Sequence, residues 1–246
     1  MGRYSRPLAP LFAEAAGVRP GQTALDVGCG PGALTAVLAD RLGPGGVLAV
    51  DPSPPFVAAC SARLPGVDVR VGRAEDLPFA DVTFDVVLAQ LVLHFVSDPE
   101  QAAAQFRRVL RPGGVAAACV WDFTAGMQML SRFWESALVV DPQAPVEAQV
   151  MRFGREGELV ELLNGAGFEA VTETTLLVSS EYRDFAELWA GFLAGIGPAG
   201  SYLLGLAEDQ RAGVHDDLFR RLGSPSGGFS LAALARCASG RAPTTR

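Results

Sequence analysis

Gly28-Cys29-Gly30-Pro31-Gly32 is the stretch of this sequence best suited to hold a ligand. Three glycines in five residues let the backbone turn tightly and approach a bound molecule closely, because no side chain stands between them. Where such a loop opens a helix, the free N–H groups of the helix start favour an anionic group, a phosphate or a carboxylate. Gly28, Gly30 and Ala33 also satisfy the G-x-G-x-x-A form of a dinucleotide fingerprint. Asp51 follows Gly30 by twenty-one residues. An acid at that spacing, at the end of the next strand, is placed to accept hydrogen bonds from both hydroxyls of a ribose. These residues imply a nucleoside-bearing cofactor and leave its identity open.

Other residues with chemical potential are fewer. His94 is a candidate general base, with a histidine packed beside Phe95 as the alternative. Cys29 is flanked by glycines and has no base beside it in sequence, so it reads as a small loop filler. His215, among Asp216, Asp217 and Arg220, reads as part of a solvated helix face. Cys29, Cys60, Cys119 and Cys237 lie far apart and only two histidines are available, so no metal cluster and no disulfide framework is expected.

The elements that must position the loop alternate between strand and helix from residue 24 to about residue 120, the pattern of parallel βαβ units. The apolar run Ala24-Leu25-Asp26-Val27 leads into the loop, Ala33 to Leu42 is helical, and Val47 to Val50 forms a second strand ending on Asp51. A helix follows from about Pro55 to Leu64, then strands at Val67–Val71 and Phe84–Ala89. Asp98 and Pro99 supply the N-cap and first position of another helix. Arg111-Pro112-Gly113-Gly114 reads as a turn before a fifth strand, Val115 to Trp121. Residues 123–154 and 181–224 read as helical insertions, with strands expected at Phe168–Val178 and Phe229–Cys237 and a frayed end from Ser239. A single α/β domain over residues 1–246 is the expected organisation.

Composition narrows the partners. The 246 residues are 49% hydrophobic, and twenty basic residues, all Arg, against 27 acidic ones give a formal net charge of −7. Nucleic acid, which draws basic faces, is therefore not an expected partner. No signal peptide and no run of about eighteen apolar residues is visible, so a cytoplasmic protein without membrane partners is expected. Arg6 occupies the position where N-myristoylation after Met1-Gly2 needs Ser or Thr.

Taken in order, the motifs resemble class I S-adenosylmethionine-dependent methyltransferases of the ubiquinone/menaquinone type, the methyltransferase type 11 domain, over roughly residues 20–122. Leu25-Asp26-Val27-Gly28-Cys29-Gly30-Pro31-Gly32 is similar to that family's first motif. Gly72-Arg73-Ala74-Glu75-Asp76-Leu77-Pro78-Phe79 resembles its adenine-side motif, and Leu110 to Gly114 the turn before its fifth strand. The resemblance implies a doubly wound, Rossmann-like seven-stranded sheet of order 3-2-1-4-5-7-6, strand 7 antiparallel, with helical insertions over the C-terminal strand ends. It implies S-adenosyl-L-methionine as cofactor, its methionine end held by Gly28, Cys29, Gly30 and Gly32 and oriented by Asp26. Asp51 would take the ribose and Ala74 and Glu75 the adenine side, with Pro52 a further cofactor-binding residue. Gln90 would sit where cofactor and acceptor meet, and Tyr4 and Arg6 in an N-terminal segment that closes over the site. Arg73 departs from the pattern, standing where the family usually has Asp.

The region after the fourth strand, Ala89 to His94, lacks the Asn/Asp-Pro-Pro-aromatic element of amino-directed DNA methyltransferases, and no Pro-Cys dipeptide exists for cytosine-C5 chemistry. A small-molecule acceptor is the expectation, with transfer to oxygen, carbon or nitrogen unresolved and oligomeric state unread. Met127, Met129, Leu130, Phe133 and Trp134 are candidates to line an apolar acceptor pocket, with helical core as the equal alternative. The rival functions are a nicotinamide-dependent oxidoreductase and a catalytically silent S-adenosylmethionine-binding protein.

Overall fold

The computed structural model describes residues 2–124 and 126–244, and of Val150 the backbone only. In chain order the elements are α1 (Gly2–Ala15), β1 (Ala24–Val27), α2 (Ala33–Leu42), β2 (Val47–Asp51), α3 (Pro54–Arg63), β3 (Asp68–Val71), β4 (Phe84–Gln90), α4 (Pro99–Val109), β5 (Leu110–Trp121), α5 (Gln128–Val140), α6 (Glu147–Val150), α7 (Glu158–Gly165), β6 (Glu169–Tyr182), α8 (Phe185–Leu193), α9 (Gly197–Gly205), α10 (Glu208–Arg221) and β7 (Phe229–Arg241). One seven-stranded sheet has the order β3-β2-β1-β4-β5-β7-β6. The first five strands pair in parallel, with Asp26 opposite Ala49 on one side and Leu88 on the other. β7 runs antiparallel to β5: Asp122 N–H donates to Leu234 O, and eight residues on, just past the end of β7, Ala242 exchanges hydrogen bonds with Gly113 and Gly114.

Two compact units emerge. The first comprises Met1–Val120, Arg155–Leu176 and Ala235–Arg246, and the second Trp121–Gly154 and Leu177–Leu234. In the first, Leu25, Val27, Val86, Val87, Leu88 and Ala89 are wholly or almost wholly buried. Strands apolar on both faces are what a parallel sheet covered by helices requires. In the second, α5 packs against α10. Phe133 stacks on Phe192 with ring centroids 4.4 Å apart, and Trp134 donates its indole N–H to the buried Glu147 carboxylate at 3.0 Å. Met127, Leu130, Phe133 and Trp134 are buried and Met129 Sδ accepts from Tyr182 O–H, so this stripe forms helical core.

The structure departs from the sequence reading at four places. Tyr4 and Arg6 do not precede the fold; they belong to α1, which buries Tyr4, Leu8, Ala9, Phe12 and Ala13 on one face and packs against α2. Tyr4, Leu8 and Phe12 recur at the helical spacing of four, a signal masked by Pro7 and Pro10 inside the same helix. Arg111 to Gly114 is not a turn ahead of β5 but an irregular part of it, where the pairing jumps from Phe84–Leu110 to Val86–Val115. Backbone groups of Gly113 and Gly114 are satisfied by Ala242, which makes extension through the Pro-Gly-Gly segment stable. β7 correspondingly continues to Arg241 instead of fraying from Ser239; residues 245 and 246 lie outside the described residues. β6 likewise runs on to Tyr182.

Among the described residues no helix is long and apolar enough to cross a membrane, and no group of three or more His, Cys, Asp or Glu side chains gathers to hold a metal. If α1 is part of the core, Phe12→Ala costs about 3–5 kcal/mol of unfolding free energy, and Glu14→Ala on its exposed face less than about 0.5 kcal/mol. Urea denaturation of both variants checks this, and equal effects would remove α1 from the core.

Candidate functional site

β1 ends at Val27 and the chain turns through left-handed conformations at Gly28, Gly30 and Gly32, with φ of 71°, 52° and 86°. Gly28 and Cys29 both donate their N–H groups to Val50 O, at 2.8 and 3.0 Å, which binds the loop to β2. The glycines have different reasons to be glycine. A Cβ on Gly28 would stand 2.4 Å from Val92 Cγ2, and one on Gly32 would stand 2.8 Å from Cys60 Sγ. Around Gly30 no atom lies within 4 Å of that position, so there the missing side chain leaves open space. No side chain caps the start of α2.

Asp51 is buried at the end of β2. Its Oδ2 accepts from Gly30 N–H and its Oδ1 from Ser53 N–H, both at 2.9 Å. The carboxylate thus ties the β1–α2 loop to the β2–α3 loop, and each oxygen retains a further lone pair. Asp26 lies beneath the loop, 1% exposed, and accepts from the Thr35 hydroxyl at 2.6 Å. Burial pushes its carboxyl up to about 7, offset in part by the Thr35 hydrogen bond. Cys29 packs with Cys60 in a small buried cluster. A hydrogen bond to Cys60 and burial hold the Cys29 thiol above its usual range, which agrees with a loop filler and not a nucleophile.

A cavity of about 250 Å³ opens at the carboxyl ends of β1 to β4, on the β1/β4 switch of strand order where open α/β sheets bind ligands. It is lined by Val27 and Gly28, by Pro52, by Gly72 to Glu75, and by Val92 and Phe95 to Ser97. Arg73 pairs with Glu75 at 3.2 Å, and the same Glu75 oxygen accepts from Ser97 N–H at 3.1 Å. Burial opposes ionisation of Glu75, yet hydrogen bonds from its own backbone, Arg73 and Ser97 outweigh it and hold the carboxyl below its usual range. A larger hollow of about 330 Å³ lies at the other end of the strands, between Asp81, Arg107, Arg108 and Leu110. The Arg108 guanidinium there is taken up by Phe79 O, Leu77 O, Gln105 and Asp81, which leaves it no evident ligand role.

The cavity brings together Gly28, Pro52, Ala74 and Glu75, while Gly30 and Asp51, hydrogen-bonded to each other, are not part of its wall. Gln90 falls within β4, not after it, and its Nε2 donates to Ser5 O at 3.1 Å. Tyr4 is wholly buried in α1, and Arg6 is exposed and makes no part of the cavity wall. His94 sits in a short helical turn, its ring 4.0 Å from that of Phe95, and it does not line the cavity; burial lowers it to about 4. Sequence reasoning did not single out Thr35, Val92, Phe95 or Ser97. Thr35 stands nine residues after Asp26, just inside the helix the loop opens, and that position was its only local signal.

The raised Asp26 carboxyl carries a pH signature. The folded state keeps a proton that the unfolded chain releases, so stability falls as pH rises between the ordinary value of 3.8 and about 7, by about 1.4 kcal/mol per pH unit. Asp26→Asn is expected to remove that slope and to melt above the parent at pH 8. Thermal unfolding of the cofactor-free proteins from pH 4 to 8 tests it, and identical slopes would mean that Asp26 stays ionised.

Comparison with known proteins bears on the cofactor. A methyltransferase domain family matches residues 25–118. The nocamycin O-methyltransferase of Saccharothrix syringae is 30% identical over 94% of this chain and 88% of its own length. The 37.1 kDa protein of transposon Tn4556 from Streptomyces fradiae is 33% identical over 73% of this chain, which spans only about half (52%) of that relative. Among solved structures, the phosphoethanolamine N-methyltransferase 2 of Haemonchus contortus in complex with S-adenosyl-L-methionine shares the fold, with a TM-score of 0.58 at 16% identity over 96% of this chain and 52% of the other. A relative matched along nearly its whole length, and a family domain on the segment that builds the cavity, together establish that this chain belongs to the class I S-adenosylmethionine-dependent methyltransferases.

Proposed function

We infer that the chain transfers the methyl group of S-adenosylmethionine to a small-molecule acceptor by in-line displacement. The observation that carries this reading is the set of fittings at one end of the sheet: a glycine loop whose Gly28 lines the cavity, the Asp51 carboxylate that pins this loop to Ser53 next to the cavity-lining Pro52, and Ala74 and the Glu75 carboxylate on the cavity wall. The order matches the methionine, ribose and adenine parts of the cofactor. The uncapped start of α2 suits the methionine carboxylate. Bound there, the cofactor supplies a methyl group on a positively charged sulfur, which keeps the electron pair of the broken bond as the acceptor forms its new one.

The protein's share of the work is alignment and exclusion of water. Asp51 fixes the ribose, and the Gly28–Gly32 backbone fixes the methionine end. Burial lowers the basicity of the His94 ring, which also stands off the cavity wall, so His94 is poorly suited to take the acceptor's proton. Acceptors that shed a proton readily, such as phenols, enols and carboxylic acids, suit the site best. The oxygen acceptor named for the Saccharothrix syringae relative supports the same choice.

Calorimetric titration with S-adenosylhomocysteine is expected to give binding, and Asp51→Ala to weaken it by about tenfold to a hundredfold, the loss of hydrogen bonds to a charged group. Unchanged affinity would sink the ribose assignment, and binding of NADPH in place of S-adenosylhomocysteine would sink the methyltransferase reading. Incubation with methyl-labelled cofactor and a panel of phenols, carboxylic acids and amines is expected to label an oxygen acceptor. Labelling of amines alone would overturn the acceptor class.

A further inference from the structure

The four free cysteines fall into two pairs whose members are distant in sequence. On β5 and β7, the antiparallel register that sets Asp122 against Leu234 places Cys119 opposite Cys237. Burial pushes both of these thiols up, Cys237 to about 12, so this pair is inert. The other pair lies under the glycine loop. Cys29 belongs to the loop and Cys60 to α3, and their side chains meet in a small buried cluster with Ala49. The Cys60 sulfur fills the space that Gly32 leaves, 2.8 Å from where a Cβ would stand, and lies 3.8 Å from Thr35 Oγ1. Its surroundings favour the reactive thiolate. The hydrogen bond from Cys29 lowers Cys60 to about 7 against burial and the Asp51 charge, with Thr35 and the Arg63 charge acting in the same direction. Arg63 also donates to Pro31 O of the loop at 3.3 Å.

We propose that peroxide joins Cys29 and Cys60 in a reversible disulfide that switches the glycine loop to a weakly binding form. The bond rests on the two sulfurs, and its effect on the S-adenosylmethionine reading of the site. The Cys60 thiolate attacks one peroxide oxygen and the O–O bond breaks, which leaves a sulfenic acid on Cys60. The departing hydroxide takes up the proton that Cys60 released and becomes water. The Cys29 sulfur then attacks the sulfenic sulfur, its proton leaves with the hydroxyl as a second water, and the S–S bond closes. Two thiols are oxidised and one peroxide is reduced to two waters. Cys29 adjoins Gly28 on the cavity wall, which gives so small an oxidant its approach. Closure draws the sulfurs from hydrogen-bonding contact to about 2.0 Å. Cys29 and Gly30 are held by Val50 O and Asp51, whereas α3 buries no residue except Cys60, so α3 is the element that moves. Its N-cap is Ser53, which donates to the same Asp51 carboxylate. The disulfide therefore pulls on the Asp51 contacts and presses the Cys60 side chain against Gly32.

The test treats wild type, Cys60→Ala and Cys60→Ser with hydrogen peroxide and then with dithiothreitol, and titrates S-adenosylhomocysteine at each stage. Peptide mapping of peroxide-treated wild type is expected to show the tryptic peptide ending at Arg41 joined to the one ending at Arg63, with Cys119 and Cys237 still thiols. Affinity is expected to fall about tenfold or more, as on loss of a hydrogen bond to a charged group, and to return with dithiothreitol. Each variant is expected to bind equally before and after peroxide. Failure of the two peptides to join overturns the proposal. So does a joined wild type with unchanged affinity, and so do variants that lose affinity to peroxide as wild type does. A reduced wild type that binds no S-adenosylhomocysteine defeats the cofactor reading and with it the effect on binding, while joined peptides would still establish the bond.

Discussion

The hydrogen bond from Gly30 N–H to Asp51 joins two loops that the sheet brings to neighbouring strand ends. β1 and β2 pair over their full length, from Ala24–Val47 to Val27–Val50, and the loop continues the attachment by giving two N–H groups to Val50 O. The turn that approaches the ligand is therefore an extension of the sheet and not a free-standing loop. Its curvature needs glycine at two positions because neighbouring elements already occupy the space: Val92 at Gly28 and Cys60 at Gly32. Strand order, loop shape and the presentation of the Asp51 carboxylate follow from one another, and the cavity at the switch between β1 and β4 is their product.

Two acidic side chains lie close to that cavity in different surroundings. Asp51 meets two backbone N–H groups, whereas Asp26 has burial on all sides and the Thr35 hydroxyl as its partner. The Asp51 charge also adds to the cost of ionising Asp26. The floor beneath the glycine loop therefore resists carrying a negative charge.

The parts of this arrangement written into short stretches of sequence were readable. Ala24–Val27, Ala33–Leu42 and the Asp98–Pro99 helix start are local decisions of apolar runs, glycine and proline, and they stand where expected. The spacing of Gly30 and Asp51 was legible because one βα unit separates them. The contacts that were missed are set by the sheet: Val92 meets Gly28 from 64 residues away, Cys60 meets Gly32 from 28, and Gln90 meets Ser5 from 85. No local pattern encodes such partners. The misreading of Arg111 to Gly114 has the same origin, since Pro-Gly-Gly favours a turn until Ala242 supplies the pairing that holds it extended.

Helix α1 carries Pro7 and Pro10 within its fourteen residues. Each proline removes an N–H that the helix would otherwise use. The segment is too short and too interrupted to nucleate alone in water, so its order is borrowed from Tyr4, Leu8 and Phe12 against the rest of the unit and from Arg41, which donates to Pro10 O. An element ordered by tertiary contacts and not by its own hydrogen bonds stands or falls with the surface it covers, so the stability of α1 is a property of the unit and not of the segment.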